Sequence, residues 1–181
     1  WDEDGWTCRE QHTWITPDKW DNQLETPNRP VVGVSWFEAA AYCRWLSTPE
    51  LTVRLPTRAE WRVAAVPDRR TYPWGDSPDP DAQRANFGER VGWPTPVGLY
   101  PAGDGKFGHS DLVGNVWEWS ADVDSKAHWN RASRTKHPTE QELFGGSWFT
   151  GVLRTTVQLQ KWCGQRLDDR GFRIAAQVTS P

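Results

Sequence analysis

Glycine and proline interrupt this chain so often that no long regular element can form: there are 15 Gly and 14 Pro in 181 residues. Proline removes a backbone donor and fixes φ, and glycine surrenders backbone order, so the helices and strands between them must be short. Irregular backbone still carries polar groups that need side-chain, water or metal partners. The chain's 14 tryptophans suit that task, because each covers a wide area of loop and donates one N–H. Hydrophobic residues make up only 36% and the mean hydropathy is −0.78, so the core is expected to be aromatic rather than aliphatic. No run approaches eighteen apolar residues, which excludes a helical membrane span. Lys+Arg 21 against Asp+Glu 24 leaves a net charge of −3, with none of the polybasic character of a nucleic-acid binder. The length fits one domain over residues 1–181. The absence of methionine and the start at Trp1 point to a fragment, a processed form or an N-terminally trimmed chain, and leave the localisation open.

Two helices announce themselves. Ser35-Trp36-Phe37-Glu38 is a capping box, in which the serine hydroxyl caps a helical N–H and the glutamate reaches back. It opens a helix from Trp36 to Leu46 with Trp36, Ala39, Ala40, Cys43 and Leu46 on one face. Thr57-Arg58-Ala59-Glu60 is a second box, opening a helix to about Val66 with Trp61, Ala64 and Ala65 inward. Residues 67–115 read as turns, and Asp122 to Gln141 as an exposed polar loop. Short β-like runs follow at Leu143-Phe144, Ser147 to Thr150, Arg154 to Leu159 and Gly171 to Val178. This is an α+β pattern with two short helices, small antiparallel sheets and much irregular structure. Cys8, Cys43 and Cys163 form no CxxC pair; three buried thiols, or one bridge and one thiol, both remain open. The histidines His12, His109, His128 and His137 show no helical ligand spacing, and neither a Gly-x-Ser-x-Gly elbow nor a Walker loop is present.

Ordered blocks carry a family resemblance. They include Pro30-Val31-Val32-Gly33-Val34-Ser35-Trp36, Arg54-Leu55-Pro56-Thr57-Arg58-Ala59-Glu60-Trp61, Tyr72-Pro73-Trp74-Gly75, Asp111-Leu112-Val113-Gly114-Asn115-Val116-Trp117-Glu118-Trp119, Gly145-Gly146-Ser147-Trp148 and Gly171-Phe172-Arg173. Over about residues 30–176 the chain resembles the formylglycine-generating enzyme (sulfatase-modifying factor) family. The resemblance implies a variant of the C-type lectin fold. It also implies that the family's two copper-binding cysteines fall at Thr150 and Thr155, which cannot supply thiolates, so no copper is expected. Asp111, Gly114, Val116 and Glu118 match positions that bind calcium in family members, and their oxygens suit a hard cation held for structural purposes. The other reading of Glu118 is a core hydrogen-bond acceptor between Trp117 and Trp119. Asn86 and Phe87 match part of a second calcium site whose aspartate has no counterpart in residues 88–96.

Fold does not fix function. The segment after the Gly-Gly-Ser-Trp block replaces the enzyme's chemistry with Phe149, Thr150, Val152, Gln158, Gln160 and Trp162, which are the candidate ligand-binding residues. The expectation is a non-catalytic display domain for a protein or other macromolecular ligand, akin to the variable proteins of diversity-generating retroelements. The alternatives are a metal-dependent oxygenase with an altered site and a silent, chaperone-like paralogue. Trp36, Trp45, Trp61, Trp74, Trp117, Trp119 and Trp148 lie in family blocks and are expected to staple the fold. Trp1, Trp6, Trp14, Trp20, Trp93, Trp129 and Trp162 lie outside them and are where exposed aromatics are expected.

Overall fold

The computed structural model describes residues 1–121, 140–155 and 158–178. Four helices precede or enclose two small sheets: α1 (Glu3–His12), α2 (Trp20–Leu24), α3 (Trp36–Leu46) and α4 (Arg58–Ala65), with a 3-10 turn at Pro101–Gly103. Strands β1 (Leu51–Arg54) and β6 (Ala175–Val178) pair antiparallel, Leu51 opposite Val178. The second sheet has the order β4-β3-β2-β5, built from β2 (Trp117–Trp119), β3 (Glu140–Phe144), β4 (Gln158–Trp162) and β5 (Arg170–Phe172).

Both capping boxes close as the sequence requires. The Ser35 hydroxyl accepts from Glu38 N while Glu38 accepts from Ser35 N, and Thr57 and Glu60 do the same at α4. α3 runs over the expected residues and buries Trp36, Phe37, Ala39, Ala41 and Cys43. α1 and α2 carry weaker signals. α1 has almost no apolar stripe and is fixed by its ends: Asp2 caps Gly5 N at 2.7 Å, and Thr13 closes it in the left-handed region.

Three aromatic-rich centres replace a single aliphatic core. The largest joins α3 to the four-stranded sheet through Trp36, Phe37, Cys43, Trp117, Trp119 and Leu143. Trp61, Ala65, Leu112 and Phe144 form a second, and Ala85, Phe87, Val113 and Leu153 a third. The indoles also do the polar work expected of them. Trp36 Nε1 donates to Ser120 O at 2.8 Å and Trp119 Nε1 to Val34 O at 3.0 Å, tying loop backbone to the sheet.

Several expectations need correction. The second sheet is mixed, since β2 pairs β5 in parallel, Glu118 beside Gly171. Ser147–Thr150 is a turn, because the Thr150 hydroxyl accepts from Ser147 N at 2.9 Å and folds the backbone on itself. Gln141, placed in an exposed loop by its polarity, is fully buried in β3. Residues 122–139 of that loop lie outside the described residues. Trp45 lies in a family block yet is 76% exposed, because it falls on the outer face of α3. Of the tryptophans expected outside the core, Trp1, Trp6, Trp93 and Trp162 are exposed and Trp14 and Trp20 half-buried; Trp129 lies outside the described residues. Cys8, Cys43 and Cys163 are all buried thiols.

Candidate functional site

The six candidate ligand-binding residues do not form one patch; the fold divides them between two neighbouring faces. Gln158, Gln160 and Trp162 alternate outward along β4, which among the described residues is the edge strand of its sheet and pairs only with β3. Trp162 lies back over Gly164, where an added Cβ would meet its ring at 2.5 Å, and it meets His12 edge-on at 5.6 Å. His12 stacks in turn on Trp14 at 5.1 Å.

Phe149, Thr150 and Val152 occupy the other face, on the turn after β3. Phe149 meets Trp148 edge-on at 5.6 Å, and Trp148 stacks near Trp93 at 6.4 Å. The Lys19 ammonium lies 5.0 Å from the centroid of Trp93 and pairs with Asp168 at 3.0 Å. The turn is held from below: Gly88 N donates to Thr150 O and Glu89 N to Trp148 O. Phe149 and Val152 are therefore exposed on a fixed platform, at 57% and 70%. Residues 13–22 line a cleft with Trp162, and Asp18, Lys19, Trp20 and Asn22 of the same segment line a second one with Trp93. Trp93 was foreshadowed as an exposed aromatic. Nothing in sequence spacing brings Lys19 or Asp168 to it.

The two positions where the resemblance expects thiolates are structural here. Thr150 Oγ1 serves the turn, and Thr155 is buried with its hydroxyl donating to Thr71 O at 2.6 Å. Cys163 does not replace them, since burial pushes its thiol up to about 12 and disfavours the thiolate a soft metal needs. Cys43 is pushed up to about 11 for the same reason.

The expected calcium residues lie together at a tight turn. Gly114 and Asn115 both adopt positive φ, and a Cβ on Gly114 would stand 2.5 Å from Asn86 O, so only glycine fits. Glu118 is buried, and its carboxylate is met by Trp61 Nε1 at 2.9 Å and by Arg173 on both oxygens at 2.5 Å. Arg173 Nη2 also donates to Ser110 O and Asp111 O. Burial drives the Asp111 carboxyl above its usual range, with the charge of Glu118 adding to it, while a hydrogen bond from Gly98 N to Oδ2 opposes. Arg173 thus already takes both Glu118 oxygens and the Ser110 and Asp111 carbonyls, while Asp111 Oδ1 carries no hydrogen bond among the described residues. Glu118 would share the expected calcium ion with Arg173. Among the described residues no group of three or more His, Cys, Asp or Glu side chains converges. At the second expected position, Asn86 Nδ2 donates to Trp93 O, and its Oδ1 is buried without a partner among the described residues.

A family model described as a sulfatase-modifying factor enzyme 1-like domain matches residues 2–178. The hercynine oxygenase of Mycolicibacterium smegmatis is 37% identical over 136 residues, which cover 67% of this chain and 30% of that protein. The inactive C-alpha-formylglycine-generating enzyme 2 of Mus musculus is 32% identical over 175 residues, covering 84% of this chain and 50% of that protein. The chain thus spans half or less of the length of these relatives. The solved structure of Treponema denticola variable protein 1 superposes with a TM-score of 0.65 at 23% identity, covering 84% of this chain and 72% of that one, a likeness of fold.

Proposed function

The chain belongs to the sulfatase-modifying factor family, and from that premise we propose that it is a recognition domain that presents a ligand-binding surface and does not generate formylglycine. One observation carries this reading. The two positions where the family resemblance expects copper thiolates are Thr150 and Thr155, both spent on backbone hydrogen bonds, while Phe149, Val152, Gln158, Gln160 and Trp162 face solvent on rigid supports. Aromatics on a fixed platform give contact area at little entropic cost. The fold tolerates changes here because the exposed side chains of β4 and of the turn contribute little to the three cores, as a variable protein of a diversity-generating retroelement would require.

A peptide library panned on the protein tests this. Binders should lose affinity for Phe149→Ala or Trp162→Ala while the Tm barely moves. A large Tm loss with both variants would make these residues structural and end the reading.

A second reading is favoured by the 37% identity to a hercynine oxygenase: the chain would be the substrate-holding part of a metal-dependent oxygenase. Hercynine would then dock against Trp93, Trp148 and Phe149, where the Lys19 ammonium already lies over an indole. Oxygen uptake with hercynine, by protein retaining about one iron per chain, would decide for it; inert protein would decide against. We also propose a structural calcium ion held by the carboxylates of Asp111 and Glu118 with the carbonyls of Gly114 and Val116. Chelator should lower the Tm, and Asp111→Ala should abolish that response; a Tm indifferent to chelator would leave Glu118 as the partner of Trp61 and Arg173 alone.

A further inference from the structure

Beside the exposed aromatic corner, residues 18–32 curl into a ring that encloses a cleft of about 500 Å³. Gln23 ties the ring shut: its Nε2 donates to Asp18 O at 2.7 Å and Val32 O at 2.9 Å, and its Oε1 accepts from Val32 N at 2.9 Å. Asn28 O accepts from Val97 N at 2.9 Å, which anchors the far side of the ring to the segment carrying Trp93 and Pro94. The cleft is therefore preformed. Its walls are chiefly apolar: Trp20, Leu24, Pro27, Val31, Trp93 and Pro94.

The charges around it are unequally matched. Asp18 pairs with Arg166 at 3.2 Å, and Asp168 with Lys19 at 3.0 Å. Glu25 stands at the exposed edge. Arg29 is different. It lines the cleft half-buried, its Nε is sealed in without an acceptor, and neither Nη donates to a group among the described residues. The outer edge of the guanidinium is therefore left for an acceptor that a ligand supplies. A guanidinium in an apolar slot matches the fork of a carboxylate, and the hydrocarbon walls match the rest of a small organic acid. A bare phosphate would fit the same guanidinium fork but leave the hydrocarbon walls unused.

We infer that this cleft binds a small amphipathic carboxylate, with its acid group on Arg29 and its apolar body against Trp20, Leu24 and Trp93. The inference does not need the display reading, because Arg29 lies outside the residues that carry it.

Isothermal titration with 3-phenylpropanoate and its neutral amide provides the test. The acid should bind at least about tenfold more tightly than the amide, as a charge-assisted contact requires, and Arg29→Gln should erase the difference. Arg29→Gln should also keep the wild-type Tm and near-ultraviolet circular dichroism, since no acceptor among the described residues is lost. Phe149→Ala should leave acid binding unchanged, which separates this site from the proposed display surface. Equal binding of acid and amide, unchanged binding in Arg29→Gln, or displacement of the acid by inorganic phosphate would overturn the assignment. So would absence of acid binding at about 10 mM, or a Tm loss on Arg29→Gln that shows the guanidinium to be a structural donor.

Discussion

Replacing Arg173 with glutamine strips both charge-assisted bonds from a carboxylate that the fold has buried. Glu118 is 7% exposed in its side chain and Arg173 24%, and they meet at 2.5 Å on each oxygen, leaving Trp61 Nε1 as the remaining donor among the described residues. Removing one partner of a buried pair costs about 3–5 kcal/mol, because the surviving charge stays in a poor solvent. The partial exposure of Arg173 places the expected loss at the lower end, about 3 kcal/mol. Glu118 is the middle residue of β2 and Arg173 follows β5, so the loss falls on the parallel pairing of Glu118 with Gly171 as well. For a chain of this size about 3 kcal/mol corresponds to a fall in Tm of roughly 6–12 °C. Urea denaturation and calorimetry on Arg173→Gln, Glu118→Gln and the double variant would measure it. The double variant should lose less than the sum of the singles, since it leaves no charge unpaired. A single-variant loss below about 1 kcal/mol, or strict additivity, would refute the claim that these groups act as one buried unit. Calcium adds a further readout: where the ion binds, excess calcium should recover part of the Arg173→Gln loss by neutralising the stranded carboxylates.

Gly103→Ala should destabilise by at least about 2 kcal/mol, because a Cβ there would overlap the backbone carbonyl of Arg84, whereas Gly151→Ala, with open space around it, should stay within about 0.5 kcal/mol; equal effects in thermal melts would contradict the packing described. Glu60 is held down to about 2 from an ordinary 4.5, first by the hydrogen bond from Arg54 and then by Thr57 N. Its folded value is depressed, so the stability it contributes is present above about 4.5 and lost as pH falls through about 2. The pair is partly exposed, which limits the effect to about 1 kcal/mol or less; Glu60→Gln should flatten the acid limb of the stability curve, and an unchanged limb would show the pair to be screened out. Gly164→Ala should displace the Trp162 ring that lies on it and shift its fluorescence; an unchanged spectrum would show that the ring does not rest on Gly164.

What the sequence by itself determined is local or repeated chemistry. The two capping boxes fixed the starts of α3 and α4 because their donors and acceptors lie within three residues of each other. The ordered blocks identified the family, and they set threonines at 150 and 155 where the resemblance expects its thiolate pair, since a side chain's donor type is visible without a fold. The density of glycine and proline called for tryptophan staples, and Trp36, Trp61, Trp117 and Trp119 supply them.

Only the tertiary structure decided what depends on distant partners. It buried Gln141 and exposed Trp45, because burial follows the face an element turns to its neighbours and not the polarity of one residue. It put β5 parallel to β2, which gives Glu118 its Arg173. It divided the candidate binding residues between an edge strand and a turn, and brought Lys19 and Asp168 to Trp93 across 149 residues of chain. It also left Arg29 without an acceptor among the described residues at the wall of an apolar cleft, a fact no spacing or motif encodes, because an unmet hydrogen bond is a property of the surroundings and not of the residue.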